Sequence, residues 1–521
     1  MATRTRSTPN LKAYAQQLER FWAQLMEAYH RQLAGLDEQM GLPAIYAEHA
    51  ALFDAAAIDG LRRLAEREDD EGGQAAELLR FALGEHLSAA AAALTEAVET
   101  AEARAVIVWR GERIPYRSAW NRAADISGRG ERNALAASYL EAVEAINPVR
   151  RERLDRMAEA VRGLGYADLP AMTAATAGFD PDELAAEMRA FLSDSETVYF
   201  AALRRQLAEI DIEQGDASQV DLAHVLRGAT WDRWFDGRGM LPALRGTLLG
   251  LGVDLDAQAA IALDVEARPG KSPRAFCAPV RVPGDIRLVI QPRGGWDDYA
   301  ALLHEAAHAQ HFAHVAADLP VAYRLLGDGS LTEGYAALFE RLVGDPAWLQ
   351  GQLGVPEADA LAFADFNAFW YLSLLRSGAA QLIYELYLHR VADHALAREQ
   401  FAGMLGLTTG VRVAPERYLA AVDDNLYVAR YARAAMLEGS LSAWLRANHG
   451  AAWWTSPEAG AALRRSWSRG QQWNAQDVVA HLGYDRLDWR PVLRQIRTLL
   501  IGEMSGYGGP NITTRAGTRK V

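Results

Sequence analysis

Residues 304–311 read His-Glu-Ala-Ala-His-Ala-Gln-His. His304 and His308 stand four apart, so a helix through this run puts both imidazoles on one face, one turn from each other. At that spacing two ring nitrogens can reach a single zinc ion at ~2.0–2.1 Å. Glu305, beside the first histidine, is placed to act as general base on a water at the metal. No proline or glycine falls between Tyr299 and Ala316, so nothing in the sequence breaks such a helix.

A catalytic zinc needs a third protein ligand and one open position. His311 is a poor candidate, because seven residues climb ~10.5 Å along a helix. It reads, with His314, as a flanking residue. Glu333, in Ser330-Leu-Thr-Glu-Gly, is the better candidate. It opens the next helical segment, and Asp318-Leu319-Pro320 supplies a turn through which a second helix can return against the first. The competing reading is a capping box, Ser330-x-x-Glu333, in which the carboxylate only completes a helix start.

Those residues must be held by the elements around them. Between 11 and 68, Leu18, Phe21, Trp22, Leu25, Met26 and Tyr29 recur at intervals of three and four, a helical period. Gly41-Leu42-Pro43 interrupts it, and 69–73 reads as a solvated turn. Alanine-rich helical segments follow at about 75–105, 133–163, 181–213 and 219–228. The texture changes near 265: residues 271–280 and 286–290 read as short extended segments separated by Pro283-Gly284, and Pro292 with Gly294-Gly295 ends the second. Helical periodicity returns at Trp296 and runs to about Leu500. The polar or glycine-rich ends, 1–10 and 506–521, read as mobile tails. The expectation is a mainly α-helical protein with one small sheet just before the histidine cluster.

Composition narrows the function classes. The 521-residue chain is 50% hydrophobic and 23% charged, an ordinary globular balance. Its net charge of −13 gives no basic stripe for nucleic acid. A single cysteine, Cys277, excludes an internal disulfide framework. The N-terminus lacks the apolar core of a signal peptide, and no run reaches the ~18–20 apolar residues of a membrane span. These features point to a cytoplasmic protein without a membrane partner.

The run His304 to His308, Glu333 lying 25 residues beyond it and Glu340 seven further on resemble the thimet oligopeptidase and oligoendopeptidase F family of zinc metallopeptidases. Leu426-Tyr427-Val428-Ala429-Arg430-Tyr431 is similar to a second segment of that family, whose tyrosines line the active site and donate to the tetrahedral intermediate. The resemblance implies a mainly α, zincin-like metallopeptidase with a large helical lid, a small sheet near the active site and a substrate channel between two halves. It places the channel wall in 11–225 and the catalytic half in 226–505. It implies one Zn²⁺ on His304, His308 and Glu333, Glu305 as base, Tyr431 and Tyr427 as catalytic donors, and short peptides as substrates. Arg274–Ala278 corresponds to an edge strand along which an extended substrate adds its backbone. Four positions depart from the family: Ala307 replaces a glycine, Ala336 a serine, Ala434 a tyrosine, and Ala421-Val422 stand where a substrate-clamping histidine is usual. Those departures admit two alternatives: a catalytically impaired helical binding protein, or a hydrolase of a non-peptide amide.

Overall fold

A computed structural model describes residues 10–501, apart from 68, 273 and 392. Apart from Asn10, the two expected tails lie outside the described residues. The chain is mainly α-helical. Asn10 caps the first helix, Leu11–Leu33, accepting from the Ala13 N–H at 3.1 Å. Tyr14, Leu18, Phe21 and Leu25 on its three-and-four stripe are buried. The alanine-rich segments form helices Asp70–Arg104, Arg129–Gly163, Pro181–Ala208 and Gln219–Arg227. One boundary differs from expectation. Residues 69–73 are no turn: the Asp69 carboxylate accepts from the Gly72 N–H and caps the helix that begins at Asp70. An aspartate at that place satisfies a free N–H and favours the positive end of the helix dipole.

Two sheets interrupt the helices. Strands β1 (Val106–Trp109) and β2 (Glu112–Pro115) make an antiparallel hairpin closed by Arg110-Gly111, both left-handed at φ 53° and 82°. Two positive φ angles give the tight turn whose twist matches a two-residue hairpin. This hairpin adds to the one sheet anticipated. That sheet consists of β3 (Ile261–Asp264), β4 (Phe276–Arg281) and β5 (Asp285–Val289) in the order β3-β5-β4. Strands β4 and β5 are the two anticipated extended segments and pair antiparallel, while β3 joins β5 in parallel. Strand β4 is left at an edge.

One large core runs from Tyr14 to Leu500 and takes in the helix that carries the histidines. A smaller cluster packs around the hairpin, and another around Tyr384, Phe401 and Tyr418. Among the described residues no helix is long and apolar enough to cross a membrane.

Candidate metal centre

The histidine motif lies within an 18-residue helix, Trp296–Ala313. Gly294 and Gly295, at φ 95° and 101°, lead into it. A side chain at Gly294 would bring its Cβ within 2.7 Å of the Gly237 backbone nitrogen, so only glycine lets the two segments approach this closely. The first turn is pinned by Tyr299, whose hydroxyl donates to the Asp236 carbonyl at 2.7 Å, and by Trp296, whose indole N–H donates to the Arg227 carbonyl at 3.0 Å. Leu302, Leu303, Ala306, Ala307 and Ala309 are buried, so the helix presents His304, Glu305 and His308 from a fixed platform.

Glu333 comes from the helix Gly329–Glu340. Its N-cap is Asp328, which accepts from the Ser330 N–H at 3.0 Å. Ser330 is therefore inside the helix, fully buried and bonded by Arg433, and the capping-box reading of Glu333 falls. Gly334 sets the packing next door: a Cβ there would lie 2.6 Å from Leu437 Cδ2, so its absence lets the helix Tyr427–His449 come close.

The three expected ligand groups converge. His304 Nε2 and His308 Nε2 are 3.2 Å apart, and Glu333 Oε2 lies 3.4 Å from the first and 3.8 Å from the second. One ligand atom from each of the three lies within 4.8 Å of the others. His311 is not part of this set. It is buried against Tyr335, with ring centroids 5.2 Å apart. His314 ends the helix, its Nδ1 2.7 Å from the Gln310 carbonyl. Two imidazoles and a carboxylate are the donor set suited to Zn²⁺ with a position left open, so the residues present fit that ion.

Glu340, which the spacing singled out without giving it a task, lies two turns along the same helix from Glu333. Its Oε2 accepts from His304 Nδ1 at 2.8 Å. That bond puts the His304 proton on Nδ1 and turns Nε2 toward the other ligands. Burial disfavours charge on His304, yet its hydrogen bonds to Glu333 and Glu340 hold the imidazole well above its usual range. Burial alone would raise Glu333, but the His304 hydrogen bond and the nearby His308 bring it down to about 2. Burial pushes His308 down to about 4, leaving a neutral imidazole. Glu305 is pushed up by burial to about 7. A carboxylate in that range suits proton exchange near neutrality.

The two tyrosines have different surroundings. Asn425 and Leu426, at φ 55° and 54°, form a left-handed corner from which the helix Tyr427–His449 starts. Such a conformation is uncommon for leucine and costs ~1–3 kcal/mol. It delivers Tyr427 to the candidate site, where its hydroxyl donates to Glu333 Oε1 at 2.9 Å. Tyr427 is thus engaged with a candidate ligand. Tyr431, one turn on, is half exposed and stands with its ring 5.0 Å from that of Tyr427. It lines a cavity shared with His304, Glu333 and Glu340. The same helix supplies Arg433, which pairs with Asp328 at 3.1 Å and ties the two helices together below the site.

Strand β4 passes beside Glu305. The Cys277 N–H donates to Glu305 Oε2 at 2.9 Å, and the Pro279 carbonyl accepts from the Trp22 indole at 2.8 Å. Proline has no N–H to offer. These contacts occupy much of the free edge that an added strand would use. Ala421 and Val422 pack, partly buried, against the small cluster around Tyr384 and Tyr418.

No protein family model matches the sequence, and no curated protein matches it. The fold does match. A solved structure described as PZ peptidase A with inhibitor 2 superposes with a TM-score of 0.68 over 95% of this chain and 98% of that one, at 15% identity. The chain shares the mainly α, zincin-like architecture of that peptidase along nearly its whole length.

Proposed function

We propose that this chain is a zinc-dependent peptidase acting on short peptides. The convergence of His304, His308 and Glu333 on one point, with Glu305 beside the first ligand, carries the reading. The fold shared with a peptidase agrees with it. His304, His308 and Glu333 would hold the ion. Zinc bound there supplies Lewis acidity, polarising a carbonyl and lowering the pKa of a water. Glu305 accepts the proton of the attacking water and returns it to the departing amine. Tyr431 donates its phenol to the oxygen that gains charge at the cleaved carbonyl. Tyr427 and Glu340 position, holding Glu333 and His304 in turn. Helices of residues 11–225 wall the approach to the site.

The test combines metal analysis with turnover. Purified protein should hold about one zinc per chain, lost in His308→Ala and in Glu333→Ala, and should cleave members of a quenched-fluorescent peptide library. Glu305→Gln should keep the zinc while turnover falls ~10²–10⁴-fold or more. Zinc retained with no cleavage of any library member would favour a metal-holding binding protein. Full zinc affinity in Glu333→Ala would remove the third ligand.

A further inference from the structure

The cavity beside the ligands measures about 550 Å³, within the usual range of small-ligand sites. Its rim carries His304, Glu333 and Tyr431, so whatever fills it lies against the metal centre. Its walls are apolar and come from distant parts of the chain: Phe191 from the helix Pro181–Ala208, Leu375 from Glu357–Leu388, Met436 from Tyr427–His449, and Trp489. Ala434 and Ala435 leave the space open where larger side chains would close it.

The charged groups facing this cavity are few. Glu333 and Glu340 are bound to the histidines and to Tyr427, and Asp423 stands at the edge. Besides His304, the one cation on the wall is Arg274, just before strand β4. Its side chain is exposed, and its guanidinium has no ion-pair partner among the described residues. A second polar group is enclosed in the wall. Tyr371 lines the same cavity at 5% exposure, and its hydroxyl has no hydrogen-bond partner among the described residues.

We infer that this cavity receives the C-terminal residue of a peptide, an apolar side chain filling the pocket and the free α-carboxylate meeting Arg274. The inference rests on the peptidase reading and deepens it. An apolar pocket alone would suit any large side chain. An unpaired guanidinium on its wall asks for an anion as well, and arginine pairs with carboxylate through two parallel N–H bonds. An apolar residue inside a chain brings only neutral amides. The same residue at a chain end brings the carboxylate. Cleavage then falls near the C-terminus of the substrate, releasing a short fragment.

The experiment compares peptides identical except for a C-terminal acid or amide, ending in phenylalanine or aspartate. Wild-type protein should cleave the phenylalanine acid about 10- to 100-fold better in kcat/KM than its amide, the worth of one charge-assisted pair. The difference should lie mainly in KM, and the aspartate acid should be a poor substrate. Arg274→Gln should erase the acid preference, lowering kcat/KM on the phenylalanine acid to the level of its amide. Equal use of acid and amide by wild type, or an acid preference that survives in Arg274→Gln, overturns the proposal. Fluorescence anisotropy of the same peptides on zinc-loaded Glu305→Gln separates the two readings. Preferential binding of the acid without wild-type cleavage refutes only the peptidase reading. Cleavage with equal binding of acid and amide, or no binding of either, refutes the C-terminal pocket.

Discussion

Glu340 touches no position open to a metal, yet its removal should weaken zinc binding measurably. Among the described residues, its one bond to the site is the 2.8 Å contact from His304 Nδ1. Both side chains are about a quarter exposed, at 22% for His304 and 24% for Glu340, so solvent screens the pair only in part. A hydrogen bond to a charged group contributes ~1.5–3 kcal/mol, equivalent to a factor of roughly 10–100 in an affinity. Partners behind a histidine ligand typically have an effect of that size, about 10- to 100-fold. Glu340→Ala should therefore raise the zinc Kd by about 10- to 100-fold, because the ring loses its pivot and its Nδ1–H acceptor together. Glu340→Gln keeps an acceptor at the same reach but no charge. A neutral bond has about half the strength, so the expected loss is only about 3- to 10-fold. Competition with a chromophoric chelator at neutral pH gives both constants, with circular dichroism confirming that the helices persist. If Glu340→Ala binds zinc within twofold of wild type, or Glu340→Gln binds more weakly than Glu340→Ala, His304 is oriented by something else.

Further outcomes follow from the neighbouring contacts. Tyr431→Phe should lower kcat on a good peptide by about 10²–10³-fold with little change in KM, the usual cost of one oxyanion donor; a kcat within threefold of wild type would show that another group fills that role. Tyr427→Phe should act instead on the metal, weakening zinc binding by about 3- to 10-fold through Glu333, as read by the same chelator competition. Asp328→Asn removes one partner of the buried Arg433 pair and should destabilise the fold by ~3–5 kcal/mol in urea unfolding at neutral pH. Burial would raise Asp328, but Arg433 and the N–H groups of Ser330 and Ala475 hold its carboxyl below its ordinary 3.8. Its contribution is thus complete above that value and is lost as the pH falls through the lower, folded one. The Asn variant should lack this part of the acid sensitivity.

The convergence of His304, His308 and Glu333 was legible because regular helices turn sequence spacing into geometry. An interval of four puts His304 and His308 on one face wherever the helix packs, and a short turn suffices to bring back Glu333. What Glu340 and Tyr427 touch depends on how two helices cross. That crossing is set by Gly334 against Leu437 and by the left-handed pair Asn425-Leu426. A leucine seldom adopts that conformation, so the sequence carries no signal for the corner it makes. The β-structure divides in the same way. Strands β4 and β5 announce themselves through proline and glycine at their ends, whereas β3 has four residues and gains its identity only from its parallel partner. The hairpin turns on Arg110-Gly111, an unusual first residue for two positive φ angles, and β1 and β2 are too short to show alternation. Arg274 gave a different difficulty: it was read as part of a strand, and only the packing around it shows that its side chain faces a cavity.

The position of these groups along the chain also bears on how the molecule is assembled. His304 and Glu333 close a loop of about thirty residues, while Tyr427 and Glu333 are 94 apart. Loop-closure entropy grows with the logarithm of length, so the second closure costs about 1 kcal/mol more than the first. By that entropy alone, the metal-holding helix pair can form while the helix of Tyr427 and Tyr431 is still undocked. Zinc in the medium would then meet its ligands in a partly folded chain and stabilise the pair onto which the last helix docks. Refolding with zinc present should outpace refolding without it, and the gain should disappear in Glu333→Ala.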